Sequence, residues 1–69
     1  MIDVETPRIS IERLPQVMAR TGLTRSTLLN LQRRGAFPQS FPLSGRTVGF
    51  LTSDIDAWIE AKAAKRFLN

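Results

Sequence analysis

With 69 residues, the chain can form one small domain with a modest core, so we predict marginal stability and no second domain. It contains no cysteine and no histidine, which excludes disulfides, thiolate zinc sites, the commonest transition-metal ligands and the usual general base near neutral pH. Its carboxylates lie towards the two ends and form no convincing acid–base pair with a nucleophile. We therefore expect no enzyme, no cofactor and no metal site.

The net charge of +4 is unevenly distributed along the chain. Residues 13–53 contain no acidic residue, and all of their charged residues are arginines. These arginines are Arg13, Arg20, Arg25, Arg33, Arg34 and Arg46. Arginine makes bidentate hydrogen bonds to phosphate and guanine more readily than lysine does. This acid-free centre therefore predicts binding to a polyanion.

The first third of the chain predicts an arm followed by a helix. Residues 1–8 show no hydrophobic period and should form a flexible arm, whose acidic start is unlike the basic start of a signal peptide. Ile9 and Ile11 alternate with polar neighbours, which leaves open a short edge strand or simple inward packing. Pro15 suits the first position of a helix of about residues 15–20.

The signals for a second helix are all local. A Thr-Gly-Leu turn at residues 21–23 separates it from the first helix. That spacing is typical of a helix-turn-helix, and a plain αα-hairpin is the alternative. Thr24 can cap the N-terminus, and Gly35 can take the left-handed conformation that ends a helix. We therefore predict a helix over residues 24–34.

This second helix has an inner and an outer face. Leu28 and Leu31 fall on the inner face, which should pack into the core. The outer face and its flanks carry side chains, among them serine, asparagine and arginine, that can meet base edges or phosphates in a major groove. These candidates are Arg25, Ser26, Leu29, Asn30, Arg33 and Arg34. The alternative is an ordinary amphipathic helix with a solvated basic face.

The pattern that follows is that of a β-hairpin. Phe-Pro-Leu at residues 41–43 faces Thr-Val-Gly-Phe-Leu at 47–51 across Ser-Gly-Arg at 44–46. Pro42 lacks an amide donor, so its strand should be an edge. Arg46 lies at or beside the tip, where a solvated side chain is the usual outcome and a phosphate contact is the alternative. This hairpin has the form of a wing.

A third helix is predicted to start at Ser53. Ser53 can cap it, and Asp54 and Asp56 fall in its first turn, as the helix dipole prefers, so these charges need no functional role. Trp58 shares a face with Ile55. We predict that this tryptophan anchors the core and does not act as a base-stacking platform.

Five segments occur in an order and at separations that together are specific. They are residues 13–17 (RLPQV), 21–28 (TGLTRSTL), 35–38 (GAFP), 45–50 (GRTVGF) and 53–58 (SDIDAW). Over about residues 9–64 the chain resembles the AlpA family of phage-type transcriptional regulators, which is similar to excisionase-like and MerR-like domains. Leu29 departs from the pattern, because the family often has a tyrosine there.

The resemblance implies a winged helix-turn-helix, mainly α with a small β-hairpin, built from three helices plus a wing. It implies a domain at residues 9–66 followed by a tail at 67–69. The family places its second helix in the major groove and its wing against the flanking backbone. DNA contacts are thereby implied for Arg25, Ser26, Thr27, Asn30 and Arg33, and for Arg46 with Thr47 beside it.

We therefore expect a sequence-specific double-stranded DNA-binding protein that regulates transcription, or directs excision, of a prophage or mobile element. The alternative is an interaction module that binds an integrase or an RNA polymerase subunit without specific DNA readout. No heptad extension supplies a dimer interface, so we expect a monomer in solution that binds repeated sites cooperatively. We expect it in the cytoplasm, associated with the nucleoid and without a membrane partner.

Overall fold

A computed structural model describes residues 9–67. Within this range the chain forms three α-helices, a three-stranded antiparallel sheet and a short 3₁₀ helix. The elements in order are β1 (Ile11–Glu12), α1 (Leu14–Thr21), α2 (Arg25–Arg33), β2 (Phe41–Ser44), β3 (Thr47–Leu51), α3 (Thr52–Ala64) and the 3₁₀ helix (Lys65–Phe67). The predicted arm at 1–8 and residues 68–69 of the predicted tail lie outside the described residues. No helix in the described range is long and apolar enough to cross a bilayer.

The first helix begins one residue earlier than predicted. Leu14 is its first residue and Pro15 its second, where the missing amide of proline leaves no helical hydrogen bond unmade. Gly22 ends the helix with a φ of 75°, and its N–H donates to the Met18 carbonyl at 2.8 Å. Glycine adopts this left-handed conformation without steric cost, so the chain turns sharply towards α2.

The sheet has the order β1-β3-β2, so β2 is an edge strand, as Pro42 predicts. The sheet also contains one strand beyond the predicted hairpin, because Ile11 pairs with Leu51 of β3. Of the two alternatives for this segment, the edge strand is confirmed and inward packing of the isoleucines is wrong. Ile11 is 44% exposed, whereas its neighbour Glu12 faces inward and is 8% exposed.

The core takes at least one side chain from each of the three α-helices and from the central strand. Its buried members are Val17, Leu28, Phe37, Phe50 and Ile55. Trp58 packs against this cluster, with its ring edge-on to that of Phe37 at a centroid distance of 4.8 Å. Its indole N–H donates to the Ala36 carbonyl at 3.0 Å. The prediction that Trp58 anchors the core is therefore confirmed.

The start of the third helix differs from the prediction. Helix α3 begins at Thr52, with Leu51 as its N-cap residue and no side-chain cap, so the prediction that Ser53 caps it is wrong. Strand β3 runs directly into α3, and the N–H of Thr52 donates to the Ser10 carbonyl at 2.8 Å. The first amide of α3 is thus satisfied by a backbone carbonyl from the start of the sheet. A cap at Ser53 would instead have accepted from the N–H of Ile55 or Asp56.

Candidate nucleic-acid interface

The N-terminus of α2 is held by Thr24, as predicted. Its Oγ1 accepts from the N–H of Thr27 at 3.2 Å, and the same hydroxyl donates to Thr27 Oγ1 at 3.0 Å. This cap satisfies one of the amides that a first helical turn leaves without a partner. It also fixes the Thr27 side chain, one of the predicted contact residues, against the start of the helix.

The C-terminus of α2 ends in a Schellman motif. Gly35 has a φ of 71°, the left-handed conformation predicted for it. Its N–H donates to the Gln32 carbonyl at 3.0 Å, and the N–H of Ala36 donates to the Leu31 carbonyl at 2.8 Å. Arg33 is therefore the last helical residue and Arg34 the C-cap, where positive charge is favoured by the helix dipole.

The two faces of α2 divide as the periodicity predicts. Leu28 is completely buried, and Leu31 packs against the core cluster. On the opposite side the side chains are exposed, and those of the polar residues make no hydrogen bond or ion pair with any other described residue. These residues are Arg25, Ser26, Asn30 and Arg33. Leu29 is half-buried, so it adds a small apolar surface to a face that is otherwise polar.

The loop after α2 is tied back to the helix. The side-chain Nε2 of Gln32 donates to the backbone carbonyl of Pro38 at 3.1 Å. The side-chain Nε2 of Gln39 in turn donates to the backbone carbonyl of Gln32 at 3.2 Å. Phe37, between the two ends of this loop, is buried in the core. These contacts hold the hairpin in a defined position relative to α2.

The hairpin carries its arginine at the tip. Ser44 pairs with Thr47, so the turn is formed by Gly45, with a φ of 54°, and Arg46. The turn is thus one residue shorter than the predicted Ser-Gly-Arg connection. Arg46 is exposed and Thr47 is half-buried.

Two of the predicted contact residues meet in one cleft. Arg25, at the start of α2, and Arg46, at the hairpin tip, line a cleft of about 560 Å³ together with Arg13, which precedes α1. The remaining lining residues are apolar, and they are Leu14, Pro15, Met18 and Val48.

The other predicted residues lie away from this cleft, along α2. Neither Arg33 nor Arg34 lines it. A helix rises about 1.5 Å per residue, so the backbone of Arg33 lies about 12 Å from that of Arg25 along the helix axis. The candidate residues therefore form an extended strip along α2 that continues to the hairpin, and they do not converge on one point.

One arginine of the acid-free centre has a structural role that the sequence did not reveal. Arg20 donates to both carboxylate oxygens of Glu12, at 2.8 and 3.2 Å, and its Nη2 also lies 2.9 Å from Asp56 Oδ1. The hydrogen bond to Glu12, followed by that to Asp56, raises the pKa of Arg20 above its ordinary value, so the group stays charged. No pattern in the sequence indicated this pairing, because the alternation of Ile9 and Ile11 with polar neighbours points the isoleucines inward and Glu12 outward.

Pairing of Arg20 reduces the basic set to five arginines. The remaining arginines of the acid-free centre form no ion pair with an acidic residue of the described range. They are Arg13, Arg25, Arg33, Arg34 and Arg46. The fold and the site thus define a small, mainly helical protein with a basic, polar face suited to a polyanion.

Comparison with known proteins agrees with this class. Residues 10–63 match the family described as "Prophage CP4-57 regulatory protein (AlpA)". Because the match covers most of the chain, the protein belongs to this family, and the resemblance drawn from its sequence is confirmed. The description of the family names a prophage regulatory protein.

A relative is known from a bacteriophage. The chain is 43% identical over 54 residues to "Uncharacterized protein ORF88" of Enterobacteria phage P4. The aligned segment covers 78% of this chain and 61% of that relative. No solved structure matches the chain significantly.

Proposed function

We propose that this protein is a sequence-specific regulator that reads double-stranded DNA as a winged helix-turn-helix, with α2 in the major groove and the hairpin against the flanking backbone. The observation that carries the proposal is the outer face of α2, whose exposed polar side chains have no partner among the described residues. Such a face on a capped, well-anchored helix is what base readout requires, because the reading side chains must be free while their backbone is fixed.

Each side chain of this face has a chemical role in the proposal. Asn30 suits adenine, whose N6 amino group donates to the side-chain carbonyl while N7 accepts from the side-chain NH₂, and Arg33 suits the O6 and N7 acceptors of guanine. Ser26 and Thr27, near the helix N-terminus, reach base edges or the nearest phosphates. Leu29 supplies an apolar contact, for which a thymine methyl group is the matching base feature.

The hairpin and the remaining arginines position the protein without reading sequence. Arg46, with Thr47 beside it, contacts the backbone that flanks the major groove. Arg25 and Arg34, at the two ends of α2, hold phosphates on either side of the bases being read.

The salt dependence of binding tests the electrostatic part of the proposal. If the five arginines without an acidic partner neutralise four or five phosphates, the logarithm of affinity should fall against the logarithm of salt concentration with a slope of about −3.6 to −4.5. Fluorescence anisotropy with a labelled duplex at several salt concentrations measures this slope. A flat response would contradict the proposal.

Sequence readout is tested by substitution on the outer face of α2. Asn30→Ala and Arg33→Ala should each relax the preference at one position of the site, at a cost of about 1–3 kcal/mol for the preferred base. Lys65→Ala, which removes a charge outside α2, is the matched control and should leave the preference unchanged.

The same experiment separates DNA reading from the alternative of a protein-interaction module. Duplexes from upstream of the protein's own gene and of a neighbouring integrase gene are compared with random sequence. If all bind equally weakly and the two alanine variants change nothing, the outer face of α2 serves a protein partner such as an integrase or RNA polymerase subunit.

We further infer that the protein is a monomer that gains specificity by binding adjacent sites cooperatively. A domain of this size offers few base contacts, so a single copy should discriminate poorly between sequences. Sedimentation velocity showing a tight dimer without DNA would contradict this inference.

The regulated process follows from the target. In the cytoplasm, on DNA of a prophage or related mobile element in the nucleoid, the protein controls transcription or acts as an excision directionality factor. Footprinting separates these roles, because protection of a promoter supports the first and protection of a recombination site the second.

A further inference from the structure

The cleft beside the hairpin contains an arginine that is not among the DNA-contact residues predicted from the sequence. Arg13 immediately precedes α1 and is exposed. Its guanidinium has no lone pair to accept a helix amide, and the Gln16 side chain caps this end by accepting from the N–H of Arg13 at 2.9 Å. The local structure therefore uses the backbone of Arg13 and leaves its charged group without a structural role.

Three cations from three separate elements meet in this cleft. Arg13, Arg25 and Arg46 come from the start of α1, the start of α2 and the hairpin tip, and none of the lining residues is acidic. Like charges brought together in this way repel one another and do not favour folding. Arg20, by contrast, is neutralised by two carboxylates. The cleft thus presents a concentration of positive charge that an anionic ligand would relieve.

The floor of the cleft suits an anion that carries a hydrocarbon portion. Leu14, Pro15, Met18 and Val48 line the cleft together with the three arginines. Apolar walls reduce the local dielectric and so strengthen the attraction between guanidinium groups and a phosphate. A deoxyribose has apolar C–H faces next to its phosphate, whereas a free phosphate ion would leave these walls uncovered.

We propose that this cleft binds one phosphodiester of the DNA backbone with its adjoining sugar, and that Arg13 is a phosphate-binding residue there. The inference rests on the proposed function and adds to it a contact from the first helix. With Arg13 engaged, the protein holds the DNA from α1, α2 and the hairpin, which fixes the depth at which α2 enters the groove.

The central test compares Arg13→Gln with Lys65→Gln, which removes one positive charge at the end of α3 outside the cleft. One phosphate contact contributes about 0.9 to the salt slope, so Arg13→Gln should weaken duplex binding about fivefold at about 0.15 M salt and about fifteenfold at about 0.05 M. The slope should become shallower by about one. Lys65→Gln should weaken binding by about twofold or less, because an exposed charge away from the contact is screened. Circular dichroism melting of both variants checks that they are folded.

A second measurement locates the phosphate. Single methylphosphonate groups, which are neutral, are placed at successive positions of the most tightly bound duplex. At one position the substitution should weaken binding of the unmodified protein and have no further effect on Arg13→Gln. That loss of additivity is the signature of a direct contact between the arginine and that phosphate.

The possible failures are distinguishable. If the unmodified protein binds duplex and Arg13→Gln matches Lys65→Gln, the cleft assignment is overturned while the proposed function stands. If the unmodified protein binds no duplex, both are overturned. Titration with inorganic phosphate, followed by NMR shifts of the cleft residues, tests the remaining source of phosphate. Saturation at low millimolar phosphate, without any methylphosphonate effect, would assign the cleft to a free anion and overturn the backbone assignment.

Discussion

Removal of the Thr24 hydroxyl is the most direct test of how α2 is held. Thr24→Ala removes the acceptor for the N–H of Thr27, and loss of such a cap costs about 1 kcal/mol, within a range of about 0.5–2. A chain of 69 residues has a free energy of unfolding of about 3–10 kcal/mol. The substitution should therefore remove a sizeable part of the stability and lower Tm by about 4–8 °C for each kcal/mol lost.

Ser53→Ala is the matched comparison, because the sequence pattern predicts the same capping role for this serine. The structure places Ser53 inside the first turn of α3, exposed and without a capping hydrogen bond. Alanine is the better helix former at such a position, by about 0.5 kcal/mol, so this variant should be as stable as the unmodified protein or slightly more stable.

Thermal and urea unfolding followed by far-ultraviolet circular dichroism measure both variants. Thr24→Ser, which retains the hydroxyl, should recover most of the loss caused by Thr24→Ala. The reasoning would be refuted if Thr24→Ala left Tm unchanged, or if Ser53→Ala lowered it by as much as Thr24→Ala does. The second result would mean that the serine caps α3 as the sequence suggests.

Three further predictions concern the parts of the fold that support α2. Arg20→Gln should lower Tm, because it leaves the inward-facing carboxylate of Glu12 without a cation. The salt slope of DNA binding should not change, and a shallower slope would assign Arg20 to the DNA contact. Trp58→Phe keeps the ring contact and loses the hydrogen bond to the Ala36 carbonyl, so thermal unfolding should show a loss of about 1 kcal/mol, and an unchanged Tm would mean that water replaces this bond without cost. Gly49→Ala would place a Cβ 2.5 Å from Ile11 Cγ2; such overpacking costs about 1–3 kcal/mol, and a melting curve identical to that of the unmodified protein would show that β1 moves aside freely.

The parts of the fold that were predictable have signals close together in the sequence. Thr24 caps the start of α2 and Gly35 ends it. Each of the two residues forms its hydrogen bond with a partner three positions away in the sequence. The hairpin likewise depends on a glycine turn and on Pro42, which excludes a central position for its strand. Such local interactions can be predicted from a short segment of sequence, without knowledge of the rest of the chain.

The parts that the sequence left open or predicted wrongly depend on residues far apart in the sequence. Strand β1 exists because Ile11 pairs with Leu51, and α3 starts early because Ser10 accepts the hydrogen bond of Thr52. Both contacts join the beginning of the described range to residues about forty positions later. Periodicity describes one segment at a time and does not reveal such pairings.

The candidate site shows the same division. Periodicity located the outer face of α2, because a helix of known start and end presents a defined set of residues. It could not separate Arg20, which two carboxylates neutralise, from the unpaired arginines. It also gave no reason to group Arg13 with Arg46, since the cleft that joins them forms only when the hairpin packs beside the first helix.

The exposed face of α2 has a consequence for how the protein can change over generations. The side chains of Ser26, Asn30 and Arg33 are exposed and make no hydrogen bond or ion pair with another described residue, whereas Leu28 on the reverse side is completely enclosed. Substitutions on the exposed side should therefore have little effect on stability. Under the proposed function, a phage lineage could acquire a new operator by changing these few codons, without first accumulating compensating mutations in the core.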